Sequence, residues 1–286
     1  MSKRYIEFND ITFGSENWVS KQGNVQNTYT PYIITEFYPN EVNTAYQQDD
    51  YITDGALFSN FRYEARIVSL RGYILPRKGE DVKALRQTLY TKLNGKKQTK
   101  LVYYDGNKRY FCNAFADTPV CAKELKNTVE FNINFTIPDF FWFEYELTTV
   151  AIASREKLIK TPFTMPMMFT RRISTATVQN EQEFEIFPKF KIIANNISTE
   201  GIIYISNHTT GEQIVISGLN VENGSEITID CKKLTASVNG IDIINNCNDF
   251  SGFSLIPGNN LLECVDNNEG RNSIVCVKYY RQFVGI

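Results

Sequence analysis

Residues 129–137, Val-Glu-Phe-Asn-Ile-Asn-Phe-Thr-Ile, alternate apolar and polar side chains without a break, the pattern of a strand with one buried face. They run straight into Pro138-Asp139-Phe140-Phe141-Trp142. The same period of two recurs over 66–74, where Val68, Leu70 and Ile74 share a face with Gly72, while Ser69, Arg71 and Tyr73 share the other. Pro76 ends that strand. Between the two strands the period changes: Val82, Leu85, Leu89 and Leu93 recur at steps of three and four and predict a helix over 79–94. Glu80 and Asp81 suit its positive amino-terminal end, and Asn94-Gly95 is a natural stop. Residues 100–104 and 109–113, joined by Asp105-Gly106-Asn107, read as a hairpin whose sheet the strand at 129–137 is expected to complete. Before residue 59 the pattern is weaker, with short strands expected around 5–8 and 32–37.

Over 144–182 the regular pattern breaks. Ser154-Arg155-Glu156-Lys157 and the run Thr161-Pro162-Phe163-Thr164-Met165-Pro166-Met167-Met168 suit a connector, because its prolines oppose a regular helix or central strand. Three of the four methionines lie there, as an adaptable contact surface or simply packed along their own domain. From Phe184 onward strands are expected at 188–194, 202–206, 213–216, 226–231, 234–238, 241–244, 253–255, 261–265 and 273–279. Asn195-Asn196, Thr210-Gly211, Asn223-Gly224, Asn239-Gly240, Pro257-Gly258-Asn259-Asn260 and Glu269-Gly270 punctuate them, which predicts antiparallel hairpins in a two-sheet sandwich. The reading is therefore mainly β with minor α, in three segments: an amino-terminal β domain over 1–145, a connector over 146–182 and a sandwich over 183–286.

At 286 residues, two domains each large enough for a core are expected, and 42% hydrophobic with 22% charged residues is ordinary for a folded chain. A net charge of −2 supplies no concentrated basic field, so nucleic-acid specificity is not expected. Residues 183–286 hold seven Lys/Arg against twelve Asp/Glu, a mildly acidic half that is either a solvated surface or a means of repelling wrong neighbours. No apolar run is long enough to cross a membrane and the first ten residues carry no export signal, so the chain is expected to be made and kept in a cytosol. Cys112, Cys121, Cys231, Cys247, Cys264 and Cys276 lack metal-ligand spacing and read as reduced, a disulfide between two of them being the alternative.

Candidate chemistry is sparse. His208, the one histidine, lies in a probable hairpin turn, which leaves histidine-based triads and multi-histidine metal sites without support. Glycoside hydrolysis needs only two carboxylates, but nothing marks a pair: Asp49 and Asp50 are adjacent, and Asp242 and Asp249 flank a loop. No glycine-rich phosphate cradle is present, and Lys92, Lys96, Lys97 and Lys100 follow the helix end, where cations meet the dipole. No catalytic residue, metal or cofactor is expected. Phe140, Phe141, Trp142, Phe143 and Tyr145 form the densest aromatic cluster, and either finish the core of their own domain or anchor self-assembly.

Taken in order, the strand 66–74, the helix, the hairpin 101–110 and the strand ending in Ile137-Pro138-Asp139-Phe140-Phe141 resemble the distal tail proteins of siphophages and of phage-tail-like particles. In the second half, Asn207-His208-Thr209-Thr210-Gly211-Glu212, Asn239-Gly240, Leu255-Ile256-Pro257-Gly258-Asn259-Asn260 and 279–286 look like that family's galectin-like carboxy-terminal domain. The resemblance covers about 60–286 and implies a β-barrel-like amino-terminal domain that builds a hexameric ring around the tail channel. It implies assembly with itself, the tail tube protein, a tail-associated hub protein and a receptor-binding protein, in a tail tip made in a bacterial host's cytoplasm. Contacts would come from the first domain, so that a 1–182 fragment would still assemble. The competing function is a carbohydrate-binding module; the second half has no tryptophan, and its Tyr204, Tyr279 and Tyr280 fall in strand-like runs.

Overall fold

The computed structural model describes residues 4–14, 30–39, 44–50, 56–76, 79–125, 128–157, 170–195, 197–267 and 273–286. Trp18, Met165, Met167, Met168, the 161–168 run, Asn196 and the Glu269-Gly270 turn lie outside them. The chain divides into two units, Met1–Glu146 with Gln282–Ile286, and Leu147–Arg281.

Unit 1 carries β1 (Tyr5–Phe8), β2 (Ile11–Gly14), β3 (Tyr32–Phe37), β4 (Thr44–Asp50), β5 (Ala56–Tyr63), β6 (Arg66–Ile74), α1 (Val82–Lys92), β7 (Thr99–Tyr104), β8 (Arg109–Ala116), β9 (Val120–Leu125), β10 (Thr128–Ile137) and β11 (Trp142–Glu144). Seven of these close on themselves in the order β8-β7-β1-β2-β3-β6-β10, because β10 pairs back onto β8 through Phe135↔Ala116 and Thr136↔Phe115. The strand at 129–137 thus does more than complete one hairpin: it pairs with β6 along its whole length and shuts a barrel. Period-two alternation decides what lies inside. Val129, Phe131, Ile133, Phe135 and Ile137 of β10 meet Val68, Leu70 and Ile74 of β6, Ile6 and Phe8 of β1, and Leu101 and Cys112 of β7 and β8. The helix adds Leu89 and Leu93 to the same core. Asp81 caps it by accepting from the Lys83 N–H at 3.0 Å. Gly72 lies on the core face because a Cβ there would fall on the Ile33 carbonyl oxygen and within 2.6 Å of Phe131 Cζ.

Unit 2 carries β12 (Thr148–Lys157), β13 (Thr170–Ile173), β14 (Thr175–Asn180), β15 (Lys189–Ile193), β16 (Ile202–Asn207), β17 (Gln213–Ser217), β18 (Glu226–Asp230), β19 (Thr235–Val238), β20 (Ile241–Asp242), β21 (Gly258–Asp266) and β22 (Ile274–Tyr279). One sheet runs β13-β12-β22-β15-β18-β19-β20 and the other β14-β21-β16-β17. Their inner faces share one core, with Phe190 edge-on to Phe253 at 5.2 Å and Ile205, Ile214, Ile227, Leu262 and Val277 fully buried around them. This is the expected sandwich.

Two segment readings change. Residues 148–157, 170–173 and 175–180, expected within a connector, are strands of unit 2, with Thr148–Ala151 pairing against Tyr279–Cys276. The 253–255 run is no regular strand; Leu255 makes an isolated bridge to Ile186, and buried asparagines hold the segment. Asn180 donates to the Leu255 carbonyl at 2.9 Å and Asn207 to that of Ser254 at 2.9 Å. The chain then returns to unit 1 as β23 (Gln282–Phe283), which pairs with β11 through Trp142↔Phe283 and Phe143↔Gln282. A 1–182 fragment would therefore lack a strand of its own barrel unit and carry only a part of unit 2. All six cysteines are free, and burial pushes the Cys231 thiol up to about 12.

Candidate functional site: a detached hairpin and its aromatic socket

β4 and β5 pair with each other and form a two-stranded sheet of their own, the one such sheet among the described residues. A register shift between Ala45 and Gln47 bends the ladder. Both outer edges of this hairpin face no strand of the barrel. Two strands alone are marginal in water, so the hairpin needs support from its root or from another chain.

Its root meets the aromatic cluster singled out in the sequence at Phe140. Pro138 to Phe141 make a tight turn in which the Phe141 N–H approaches the Asp139 carbonyl and Phe140 takes a positive φ of 35°. That backbone costs about 1–3 kcal/mol in a non-glycine residue and turns the Phe140 ring out of the strand path. Tyr63, the last residue of β5, stacks on it with centroids 4.5 Å apart and planes 20° apart. Phe140 meets Phe141 at 4.0 Å, and Phe141 meets Phe143 at 6.5 Å. Phe143 stacks on Phe111 at 5.4 Å, and Phe111 meets Tyr145 edge-on at 6.1 Å.

Alternation along β11 sends Trp142 the opposite way. It is fully buried and sits 6.3 Å from the Tyr103 ring inside the barrel. Its indole N–H donates to the Pro39 carbonyl at 3.0 Å, two residues past the end of β3. The structure therefore divides the aromatic cluster. Trp142 belongs to the core, Phe140 and Phe141 are half-buried, Phe143 is covered by its neighbours, and Tyr145 alone is broadly exposed, at 43%. Around Tyr145 sit two cations. Lys100 Nζ lies 4.1 Å from the Phe111 centroid and 5.3 Å from that of Tyr145, and the Arg109 guanidinium is 5.7 Å from Tyr145.

Of the remaining candidates, His208, Asp242 and Asp249 have partners within the chain. His208 Nε2 lies 2.7 Å from Glu263 Oε2 on the exposed face of the four-stranded sheet. Asp242 accepts from the Ile244 N–H at 2.9 Å. Asp249 accepts from that of Ser251, and this bond holds its carboxyl below the usual range. Asp49 and Asp50 fall in β4. No group of three or more His, Cys, Asp or Glu side chains that could hold a metal occurs among the described residues.

Sequence reasoning passed over Arg66. It is fully buried and donates through Nη1 to the Pro39 carbonyl at 3.0 Å, and through Nη2 to the Val284 carbonyl. Burial lowers its pKa. The signal was available: Arg66 is in phase with Val68 and Leu70, so parity alone puts a charged residue on the core face.

Two family models match the chain: the phage tail protein RIFT-related domain over residues 21–137, and the siphovirus-type tail component, C-terminal domain, over residues 183–283. No curated protein sequence matches it. Among solved structures, the chain is similar to the Dit protein of SPP1, described as a paradigm of hub adsorption apparatus in phages infecting Gram-positive bacteria. The likeness covers 98% of this chain and 99% of that one, with 10% identity and a TM-score of 0.67. A chain of the phage P2 baseplate in its activated conformation with Ca matches over the whole of both chains, with 13% identity and a TM-score of 0.55. A chain of that baseplate with Sr matches over 96% and 97%, with 13% identity and a TM-score of 0.52. At these identities the likeness is one of fold.

Proposed function

Because the chain belongs to the distal tail protein family of siphophages, we propose that it acts by self-association, closing into a hexameric ring that joins the tail tube to the adsorption apparatus. The protein is a structural component of the distal phage tail. The tail tube protein, a tail-associated hub protein and a receptor-binding protein are its proposed partners. The family and fold matches are to structural tail proteins, and the mechanism proposed involves docking rather than bond making.

The β4–β5 hairpin carries this reading. Unpaired strand edges must be covered, blunted or completed by a neighbour, and among the described residues no third strand pairs with β4 or β5. A hairpin given by one subunit to a different surface of the next makes a head-to-tail contact, and such contacts close into rings when the rotation permits. Each contact would need to bury about 800 Å² per partner to last.

The test compares the full chain with a variant in which 44–63 is replaced by a short Gly/Ser linker, using light scattering and electron micrographs. The expected result is annular particles of hexameric mass for the full chain and monomers for the variant, with unit 2 folded in both. A folded variant that assembles like the parent would remove the hairpin from the mechanism. A full chain that stays monomeric even with the tail tube protein present would remove the ring.

A further inference from the structure

We infer that Arg66 is a positioning residue that locks the root of the β4–β5 hairpin to the returning strand β23. The inference rests on the reading of that hairpin as the assembly element only for its consequence, not for the lock itself.

Three segments far apart in sequence meet on this one guanidinium. Pro39 lies just before the hairpin, Arg66 lies three residues after its last strand residue, and Val284 lies in the segment that comes back from unit 2. The Arg66–Pro39 bond at 3.0 Å closes the neck of the hairpin, and Trp142 Nε1 donates to the same carbonyl at 3.0 Å. Trp142 is itself paired with Phe283 across β11 and β23. Hairpin root, socket and return strand thus share one hydrogen-bonded knot.

Stability alone does not account for an arginine at this place. A fully buried cation loses its hydration, and Arg66 meets carbonyl oxygens, with no carboxylate pair among the described residues. Its Nε is buried without any hydrogen-bond partner. An apolar side chain would fill the space at less cost, but could not grip two carbonyls at once. A planar fork of donors can do so, whereas a lysine ammonium presents a single point charge. The bonds are therefore best explained by what they hold in register: the hairpin is oriented only while β23 is seated.

Hydrogen exchange of the full chain reads this directly. In Arg66→Met, amides of 44–50 and 56–63 are expected to exchange about tenfold faster or more, the effect of losing a charge-assisted bond, while β6, β10 and unit 2 keep their protection. Trp142→Phe, which keeps a ring but removes one donor to Pro39, should give a smaller increase confined to the same segment. If Arg66→Met does not fold, Arg66→Lys serves, with an intermediate increase. Unchanged hairpin exchange in a folded variant, or an increase spread equally over β6 and β10, would overturn the lock and leave Arg66 an ordinary core residue. Faster hairpin exchange with unaltered particle mass would uphold the lock and instead sink the hairpin as the assembly element.

Discussion

The outer edge of β17 in unit 2 and the outer edges of β4 and β5 in unit 1 pose the same physical problem and meet opposite fates. Along β17, Asn248 donates to the Gln213 carbonyl at 2.8 Å, accepts from the Val215 N–H at 2.7 Å and gives its own N–H to the Val215 carbonyl at 3.1 Å. Asn246 adds donations to the carbonyls of Ser217 at 3.0 Å and Gly218 at 3.2 Å. Two side-chain amides thus imitate a neighbouring strand and leave little for another chain to pair with. At the far end of the other sheet, β20 is only two residues long. The hairpin of unit 1 has no such cover in its own sheet. Unit 2 thus covers its outer edges from within, whereas among the described residues no third strand pairs with the hairpin of unit 1.

One buried polar cluster in each unit makes a further contrast, although Ser273 Oγ of unit 2 is also buried without a hydrogen-bond partner. In unit 2, Asn207 donates to Asn260 Oδ1 at 3.2 Å, and Asn260 both accepts from the Ile256 N–H at 3.0 Å and donates to the Ile256 carbonyl at 2.8 Å. The network is satisfied and pins the loop before β21. In unit 1 the buried polar centre is Arg66, with one nitrogen unpartnered. A satisfied network specifies one conformation, while a buried unpartnered group is a local cost that calls for an explanation.

The comparison can be broken at three points. Removing 282–286 should have the largest effect, because β11 keeps only β8 as a partner and Arg66 keeps a single acceptor: unit 1 should lose ~3 kcal/mol or more, followed by urea unfolding with tryptophan fluorescence. The transition of unit 2, which lacks a tryptophan, is followed by hydrogen exchange of its strands and should stay in place, and equal losses in both units would show that they are not energetically separate. Gly72→Ala comes next. Its Cβ has no space against Ile33 and Phe131, so a loss of about 2–3 kcal/mol confined to unit 1 is expected in the same assay. Asn248→Ala should cost unit 2 only ~1–2 kcal/mol, yet uncover β17 and raise its tendency to associate, seen as concentration-dependent mass in sedimentation. Unaltered monomeric behaviour there would mean that the asparagines serve stability alone.

Sequence patterns revealed the elements whose alternation is driven by burial. Strand 66–74 was read with its observed bounds, the strand at 129–137 within one residue, and the helix lost only its capping turns at either end. The hairpin escaped because Gln47-Gln48-Asp49-Asp50 has no apolar period to mark a strand. Strand β23 is two residues long and pairs with β11 across the whole length of unit 2, a tertiary fact with no local trace. In β12, Thr148 to Ser154 alternates only weakly, and Pro162 and Pro166 break the pattern that follows. The aromatic cluster was found as composition but not as geometry, since composition cannot tell that neighbours 142 and 143 face opposite sides of one strand.

Phe143 and Gln282 sit across from each other in β11 and β23, and Thr148 and Tyr279 do the same in β12 and β22. The polypeptide therefore leaves the barrel and rejoins it through adjacent positions. Any module whose own two ends lie side by side could be spliced in at this junction without rewiring the barrel.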